Sequence, residues 1–388
     1  MKDGNLDKVL RNNALFRGCQ VRVSTRGERG NMTRKGFLST LGSTVAATAI
    51  GGTKPRKKMI WGMYNQLGSY MWKEPNPLDA KGHFCGERCW ADDLAWDRRV
   101  AYAKEKGINL MLVDLAEALR YPSHPELALN GANAQQSSRS AEWMNARVRK
   151  CRDLGIEVVP RLNFSATHDA WLGFYSRMVS TPTYYRVVKD LLRDVYDIFE
   201  KPRFISMGMD EEAVDFARDK PLGVARLGNL LWHDINFFGR EISKLGARPW
   251  MSSDLEWWYP EAFAKNVSKD ILQQNWYYGQ SFDSKAYKAK KDMRWKYIES
   301  YNRLDAAGFD QIPGPSNWLE GRDKREGKTE NKVNTDLTLE YCKRELNPDR
   351  VLGYISLPWC GATRNGDKTW FDACDQLVAA RAKHYPGC

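Results

Sequence analysis

Eight short apolar segments, separated by stretches with helical periodicity, constrain the fold of this chain more than any other feature. Most of them are continuously apolar, which is typical of strands buried on both faces of a parallel sheet. The predicted strands are 59–66, 108–115, 156–164, 204–208, 248–253, 271–277, 309–312 and 351–357. Eight strands that alternate with helices predict an α/β protein with one (β/α)8 barrel domain, the TIM barrel. A doubly wound sheet is the alternative, but no Gly-rich phosphate loop follows the first strand.

Helix starts support this alternation. Asp92 or Asp93, Ser140 and Thr181 each stand directly before a helical pattern, where a side-chain oxygen accepts a hydrogen bond from a backbone N–H of the first turn. Pro182 follows Thr181, in the order that favours a helix start. The sequence therefore predicts helices that begin at these residues and connect consecutive strands.

The positive charge of the chain is concentrated in its first part. Residues 1–58 hold 13 Lys and Arg and 3 Asp and Glu, so they contribute +10 of the total net charge of +12. The remainder is nearly neutral, which argues against nucleic acid as a partner. We therefore predict a leader over 1–58 and a single catalytic domain over 59–388.

The leader has the pattern of an export signal over about 32–52. A basic pair, Arg34 and Lys35, precedes a weakly apolar run with small residues, and the sequence RKGFL resembles the twin-arginine signal. The run is too short and too polar for a stable membrane span, so membrane contact is expected only during export. The expected location is periplasmic or extracellular; a disordered basic tail is the alternative interpretation.

Cysteine spacing favours no metal site. None of the eight cysteines forms a CxxC pair with matching histidines, and we expect neither a metal nor another cofactor. In an exported protein, Cys85 with Cys89, or a pair among Cys360, Cys374 and Cys388, are candidate disulfides.

The stretch 203–213, RFISMGMDEEA, contains the candidate catalytic residues. A short strand ends near Gly208 and is followed at once by Asp210, Glu211 and Glu212. Parallel β/α proteins present catalytic groups at the carboxyl ends of their strands. The alternative is an acidic cluster in the first turn of the next helix, stabilised by the helix dipole.

The other strand ends supply polar and aromatic residues to the same predicted face. The candidate substrate-binding residues are Arg120, Asn163, His168, Asp254, Trp257, Trp276, Tyr277, Trp318 and Trp359. Carboxylates surrounded by flat aromatic side chains match the needs of a glycosidase, which protonates a leaving oxygen while the sugar ring is held in place. We therefore predict a carbohydrate substrate.

Adjacent carboxylates raise a geometric question. Consecutive residues of a strand point in opposite directions, so Asp210 and Glu211 face one pocket only if the strand bends or ends. They are poorly suited to be the usual acid and nucleophile from separate strands. Adjacent acids would suit a substrate-assisted reaction, in which the acetamido oxygen of the sugar attacks, one carboxylate orients that group and the other is the acid.

Three segments resemble the family 20 glycoside hydrolases, the β-N-acetylhexosaminidases. The sequence SMGMDE at 206–211 is similar to the family motif His-x-Gly-Gly-Asp-Glu. Residues 109–122 resemble its second strand and following loop, and 155–160 with Asn163 and His168 resemble its third strand and loop. The resemblance implies a (β/α)8 barrel and a retaining hydrolase acting on an N-acetylhexosamine or related sugar, and the predicted export signal adds that this hydrolase is secreted.

Specific roles follow from this resemblance. It implies that Asp210 orients the acetamido group, that Glu211 is the acid and base, and that Trp276 and Trp359 are pocket walls. The sequence departs from the family pattern at the first strand, which lacks the sugar-binding Arg, and at Arg161 and Asn163, where the family has Glu and Asp. A divergent relative with an altered pocket fits these departures.

Two other functions remain open from the sequence. The first is a barrel that binds carbohydrate without hydrolysing it. The second is a glycosidase that uses Glu211 with Asp254 or Glu256 in the ordinary two-carboxylate mechanism.

Overall fold

The strands form one parallel sheet. The computed structural model describes residues 58–69, 89–131, 133, 137–213, 223–325 and 327–388. Within these residues the sheet has seven strands in the order β6-β5-β4-β3-β2-β1-β7. Their bounds are β1 Ile60–Gln66, β2 Leu110–Asp114, β3 Glu157–Arg161, β4 Phe204–Ser206, β5 Arg248–Ser252, β6 Leu272–Gln274 and β7 Gly353–Ser356. Seven of the eight predicted strands are confirmed, each over a shorter range.

Apolar residues on both faces of the strands explain why the sheet is buried on both sides. Along β2, Leu110 and Leu112 belong to one apolar cluster with residues of the other strands. Met111 and Val113, which point the opposite way, belong to a second cluster shared with the helices. The continuous apolar runs of the sequence therefore reflect two separate cores, one on each face of the sheet.

The seventh predicted strand is present only as isolated bridges. Gln311 bridges in parallel to Gln273 of β6 and to Val351, two residues before β7. Pro313 and Pro315 follow directly, and proline has no N–H to donate to a ladder. This explains why the segment pairs with neighbours on both sides without forming a regular strand.

Helices follow most strands along the chain. In the described part of the chain their bounds are α1 Asp93–Glu105, α2 Ala141–Asp153, α3 Pro182–Ile198, α4 Asn229–Leu245, α5 Leu255–Trp258, α6 Pro260–Asn266, α7 Ser284–Ala289, α8 Arg294–Ala306, α9 Gly321–Arg325, α10 Asn334–Glu345 and α11 Arg364–His384. Short 3-10 helices lie at Ala116–Ala118, Pro125–Leu127 and Ala170–Met178. The predicted caps are confirmed: Asp92, Ser140 and Thr181 accept backbone N–H groups at 2.7, 3.2 and 3.3 Å.

The leader and its export signal cannot be compared with the structure, because they lie almost wholly outside the described residues. Among the helices that are described, none combines the length and the apolar character needed to cross a membrane. The cysteines described by the structure include Cys89, Cys360, Cys374 and Cys388, and all four are free. The candidate disulfide among Cys360, Cys374 and Cys388 is therefore wrong for this structure, whereas Cys85, the candidate partner of Cys89, lies outside the described residues.

Gly353 lies where β7 meets β1, and its lack of a side chain allows the two strands to approach. Its φ is +148°, and a Cβ at this position would lie 2.0 Å from the carbonyl oxygen of Ile60. We expect Gly353→Ala to lower the free energy of unfolding by about 3 kcal/mol, because two paired backbones must separate. Urea denaturation measures this loss.

Gly155→Ala is the matched control for this substitution. Gly155 also has a positive φ, +78°, but a Cβ added there would meet no atom within 4 Å. Its replacement is expected to cost only about 1 kcal/mol of backbone strain. Equal losses in the two variants would contradict the close approach of β1 and β7.

Candidate active site

The chain turns sharply after β4 and brings two carboxylates to the carboxyl edge of the sheet. The strand ends at Ser206, and Gly208, Met209 and Glu211 then adopt φ values of +67°, +71° and +59°. Left-handed backbone is costly for residues other than glycine and is concentrated at functional sites. Because the strand has ended, Asp210 and Glu211 escape its alternation and approach the same histidine.

Asn163, which follows β3, fixes this turn. Its amide oxygen accepts the N–H of Met209 at 3.2 Å, and its amide nitrogen donates to Oδ1 of Asp210 at 2.8 Å. Gly208 passes so close that a Cβ there would lie 2.2 Å from the Asn163 oxygen. The predicted site residue Asn163 therefore lies beside Asp210 and binds both the backbone and a side chain of residues 208–211.

His168 lies between the two carboxylates. Its Nε2 is 3.4 Å from Oδ2 of Asp210 and 3.3 Å from Oε2 of Glu211. Burial alone would lower the pKa of His168, but the charge of Asp210 and the hydrogen bond to Glu211 outweigh burial and raise this pKa. The Glu211 side chain is 32% exposed and that of Asp210 only 9%, so Glu211 is the more accessible acid.

Arg161, the last residue of β3, connects Asp210 to a second buried carboxylate. Its Nη2 donates to Oδ1 of Asp210 at 2.5 Å, and its Nε donates to Oδ2 of Asp114 at 2.8 Å. The Tyr64 hydroxyl donates to the same Asp114 oxygen at 2.8 Å. Burial alone would raise the pKa of Asp210, but Arg161 and His168 together hold it below the ordinary value.

Asp254 lies behind residues 208–211. Its side chain is fully buried, and Oδ2 accepts the backbone N–H of Glu211 at 2.7 Å. Burial and, secondarily, the charge of Asp210 raise the pKa of Asp254 well above its ordinary value. A fully buried carboxyl group that accepts a backbone N–H supports the strained conformation of Glu211 but is poorly placed to be a nucleophile.

Glu212 is buried in an ion-pair network, and residues 214–222, where the predicted helix would follow it, lie outside the described residues. Glu212 is 1% exposed and accepts hydrogen bonds from the N–H of Ala166 and from the guanidinium of Arg226 at 3.1 Å. Arg226 is also paired with Asp234, at 2.9 Å. The acidic run therefore divides into Asp210 and Glu211 at the site and Glu212 in a separate buried ion-pair network.

Aromatic side chains line the edge of the sheet beside these acids. Trp276 and Tyr278 are stacked, with ring centroids 5.0 Å apart and ring planes inclined by 23°. Trp359 lies 4.9 Å from the ring of Tyr64 and 6.4 Å from that of Tyr278. Trp276 and Trp359 are both partly exposed, so they offer the kind of apolar wall that binds a sugar ring.

Two predicted aromatic contacts need correction. Tyr277 is fully buried and donates its hydroxyl to the carbonyl of Ser281, so it packs in the core shared with the helices instead of lining the site. Trp257 is only 1% exposed and packs edge-on against Trp276, at 4.5 Å. It supports the aromatic wall from behind and is not exposed to a substrate.

The remaining predicted residues lie further out. Arg120 donates to the side chain of Asn130 at 2.7 Å, and no contact with Asp210 or Glu211 appears among the described residues. Trp318 is 45% exposed, and Asn331 links it to the site by donating to the carbonyls of both Trp318 and Tyr278. Trp318 is thus an outer aromatic surface, whereas Arg120 belongs to a different part of the loop layer.

The set of predicted site residues omitted Arg161, Tyr64, Asp114 and Tyr278. Tyr278 could have been predicted from the alternation of side chains along a strand, because Tyr278 shares a face with Trp276 and Tyr277 does not. Arg161 shares a face with Asn163 in the same way. Within the described residues no group of three or more acidic, Cys or His side chains is arranged to hold a metal ion.

Comparison with known proteins identifies the fold. No family model matches the chain and no curated protein does so, but many solved structures do. The N-acetyl-β-hexosaminidase of Streptomyces plicatus has a TM-score of 0.55 and 13% identity, over 85% of this chain and 68% of that one. Dispersin B has a TM-score of 0.53 and 13% identity, over 85% of this chain and all (100%) of that one.

A third structure agrees with these two. The β-N-acetylhexosaminidase of Bacteroides fragilis has a TM-score of 0.53 and 14% identity, over 82% of this chain and 65% of that one. The chain has the fold of these proteins. It spans just under two thirds of the Bacteroides protein, and at such low identities the similarity extends to architecture alone.

The charge of His168 makes a testable contribution to stability. Because the folded pKa is raised above the ordinary value of 6.5, the contribution is fully present below about pH 6.5 and is lost as pH rises through the folded pKa. We expect the stability advantage of the wild-type protein over His168→Gln to shrink with rising pH, by about 1.4 kcal/mol per pH unit within that window.

Urea denaturation of both proteins between about pH 6 and pH 9 measures this difference, over a range that brackets an ordinary histidine pKa. The comparison cancels the titration of groups that the two proteins share. A difference that stays constant over the whole range would mean that His168 is neutral beside the two carboxylates.

Proposed function

We propose that the protein is a glycoside hydrolase that cleaves the glycosidic bond of an N-acetylhexosamine or a related sugar by a substrate-assisted, retaining mechanism. Glu211 is the general acid and base, and Asp210 orients the acetamido group. The observation that carries this proposal is the placement of both adjacent carboxylates beside His168, at a sheet edge lined by Trp276 and Trp359.

The proposed reaction has two steps. In the first, Glu211 gives its proton to the glycosidic oxygen while the acetamido oxygen of the sugar attacks the anomeric carbon from the opposite face. The bond between the anomeric carbon and the glycosidic oxygen breaks, and the leaving group departs as an alcohol. The ionised Asp210 accepts a hydrogen bond from the acetamido N–H and stabilises the positive charge that develops on this group. In the second step, Glu211 takes a proton from the water that opens the cyclic intermediate, which restores the acid and retains the configuration.

The fold supports this proposal. The solved structures with TM-scores above 0.5 include proteins that are named as β-N-acetylhexosaminidases. In this chain, the segment that resembles their family motif follows β4 and carries Asp210 and Glu211. The altered pocket, with Arg161 and Asn163 beside Asp210, favours a substrate that differs from a plain N-acetylhexosamine glycoside.

The two-carboxylate mechanism is less well supported. Asp254 is buried and bound to the backbone of Glu211, and Glu256 forms an ion pair with Arg303 of α8, between helices. Neither carboxylate is available to attack a sugar beside Glu211. A protein that binds carbohydrate without hydrolysing it would use the same aromatic wall. A measurement of turnover distinguishes this alternative from the proposed hydrolase.

The proposal extends to the chain as a whole. We infer that the domain spans 59–388 and that the segment around Gln311 closes the sheet into a (β/α)8 barrel, because it pairs with residues on both sides. We also infer that 1–58 is a leader that directs export to the periplasm or the exterior, where glycans are accessible. The basic leader and its apolar run support this location.

Replacement of the proposed acid tests the assignment. We expect Glu211→Gln to lower kcat for an aryl N-acetyl-β-hexosaminide by about 10²- to 10⁴-fold without loss of thermal stability, because the amide gives up no proton. Initial-rate kinetics and thermal unfolding measure both quantities. Glu256→Gln is the control, since the substrate-assisted mechanism predicts near-normal kcat and the two-carboxylate mechanism predicts a comparable loss. Unchanged kinetics in Glu211→Gln would contradict the proposed role.

A second test addresses the attacking group. A thiazoline that mimics the cyclic intermediate is expected to bind far more tightly than N-acetylglucosamine, because it resembles the transition state of acetamido attack. Competition kinetics or calorimetry gives both affinities. Equal affinities would favour a mechanism without acetamido participation, and binding of oligosaccharides without any turnover would favour the non-hydrolytic alternative.

A further inference from the structure

The guanidinium of Arg161 occupies an unusual position between two buried carboxylates. Its side chain is 1% exposed, that of Asp114 is fully buried and that of Asp210 is 9% exposed. In addition to its bonds to these two acids, Nη1 lies 3.4 Å from the hydroxyl of Ser252 on β5. Arg161 therefore connects β2, the end of β3, the turn after β4 and β5 through one planar group.

We propose that Arg161 is a positioning residue for the reaction: it keeps Asp210 ionised and presents a single carboxylate oxygen, Oδ2, to the substrate. This inference rests on the proposed function, because it assigns Arg161 a role in orienting the acetamido group through Asp210. It does not make Arg161 a group that touches the sugar.

The hydrogen bonds of Asp210 define this role. Its Oδ1 accepts from both Arg161 and Asn163, whereas Oδ2 lies on the side of His168, 3.4 Å from Nε2. Two donors on one oxygen fix the rotation of the carboxylate about its side-chain bonds. Neither Arg161 nor Asn163 donates to Oδ2 in these hydrogen bonds, and one such oxygen matches a ligand that offers one N–H, as an acetamido group does.

The anchor of Arg161 is itself rigid. Asp114 accepts from the Tyr64 hydroxyl as well as from Arg161, so the guanidinium is held on the side away from Asp210. The planar donor set of arginine allows it to bind two carboxylates at once in fixed directions, which the single ammonium group of lysine does not allow. We therefore expect the fixed hydrogen-bond directions of Arg161 and its positive charge to make separable contributions to the reaction.

Several titratable groups act on Asp210 from the elements around it. Arg161 and His168 favour its ionised form, whereas nearby carboxyl groups disfavour it. The groups that face it from the strands and loops are Tyr64, Asp114, Arg161, His168, Glu211, Asp254 and Tyr278. Any pH effect assigned to Arg161 must therefore be measured as a difference between variants that keep the other groups unchanged.

Kinetics of four variants test the proposal. Arg161→Lys keeps the charge and loses the fixed directions, so kcat is expected to fall about tenfold or more while the acid limb of the kcat/KM profile stays in place. Arg161→Met alone would leave two buried carboxylates, Asp114 and Asp210, without their arginine. Combining it with Asp114→Asn removes one positive and one negative charge, so that only Asp210 loses its partner. The acid limb of this double variant is expected to lie about 1–3 pH units above that of Asp114→Asn alone, because Asp210 loses its cationic neighbour while every other group stays the same.

Arg303→Met is the matched control, because it removes an arginine that is paired with a carboxylate, Glu256, outside the site. It is expected to lower the melting temperature without moving the acid limb or kcat. A double variant that folds and has the same acid limb and kcat as Asp114→Asn alone would overturn the proposal and leave Arg161 a purely structural ion-pair partner.

A stability cycle separates failure of this inference from failure of the proposed function. The loss of melting temperature caused by Arg161→Met is expected to be smaller when Asp210→Asn is already present, because the two groups are coupled. The melting temperatures can be measured whether or not the protein hydrolyses a substrate. If the wild-type protein hydrolyses no glycoside but the coupling is present, the proposed function fails and Arg161 still controls Asp210. If the losses are simply additive, Arg161 does not act on Asp210 and the inference fails by itself.

Discussion

The left-handed turn from Gly208 to Glu211 is the constraint on which the candidate site depends. A regular strand would direct Asp210 and Glu211 to opposite faces of the sheet, and only one of them would reach a pocket. The turn brings both carboxylates within 3.4 Å of one histidine nitrogen. Asn163 and Asp254 hold this costly backbone by accepting the N–H groups of Met209 and Glu211. The chemistry of the site thus originates in backbone geometry rather than in the choice of acids alone.

Buried ion pairs on both sides keep the turn in place. On one side Arg161 joins Asp210 to Asp114, and on the other side Arg226 joins Glu212 to Asp234. A buried charge that loses its partner is expensive, so each arginine resists movement of the carboxylate it binds. Between these fixed points the side chain of Glu211 is 32% exposed, which suits the proton exchange that we propose for it.

The sequence predicted seven strands and three helix caps well, because apolar runs and caps are local signals. The catalytic roles of Asp210 and Glu211 stay a prediction, and the structure brings this pair of carboxylates to His168. The sequence predicted the surroundings of the pair less well. The sequence analysis places Tyr277 at the site, but the side chains of Tyr277 and Tyr278 point in opposite directions and it is Tyr278 that stacks on Trp276. The predicted site residue Trp257 is buried behind Trp276. The segment around Gln311 lost regular pairing through its neighbouring prolines. The bridge made by Arg161 spans residues far apart in the chain, so only the assembled sheet reveals it.

In the proposed mechanism, the acetamido group of the substrate attacks the anomeric carbon while Glu211 donates a proton. The most direct measurement compares kcat/KM for nitrophenyl glycosides that carry acetyl, fluoroacetyl or trifluoroacetyl on the amino group of the sugar. Fluorine withdraws electrons from the attacking oxygen, so a steep decrease along this series is the predicted result. A series with equal rates would contradict acetamido attack, and with it the roles assigned to Asp210 and Glu211.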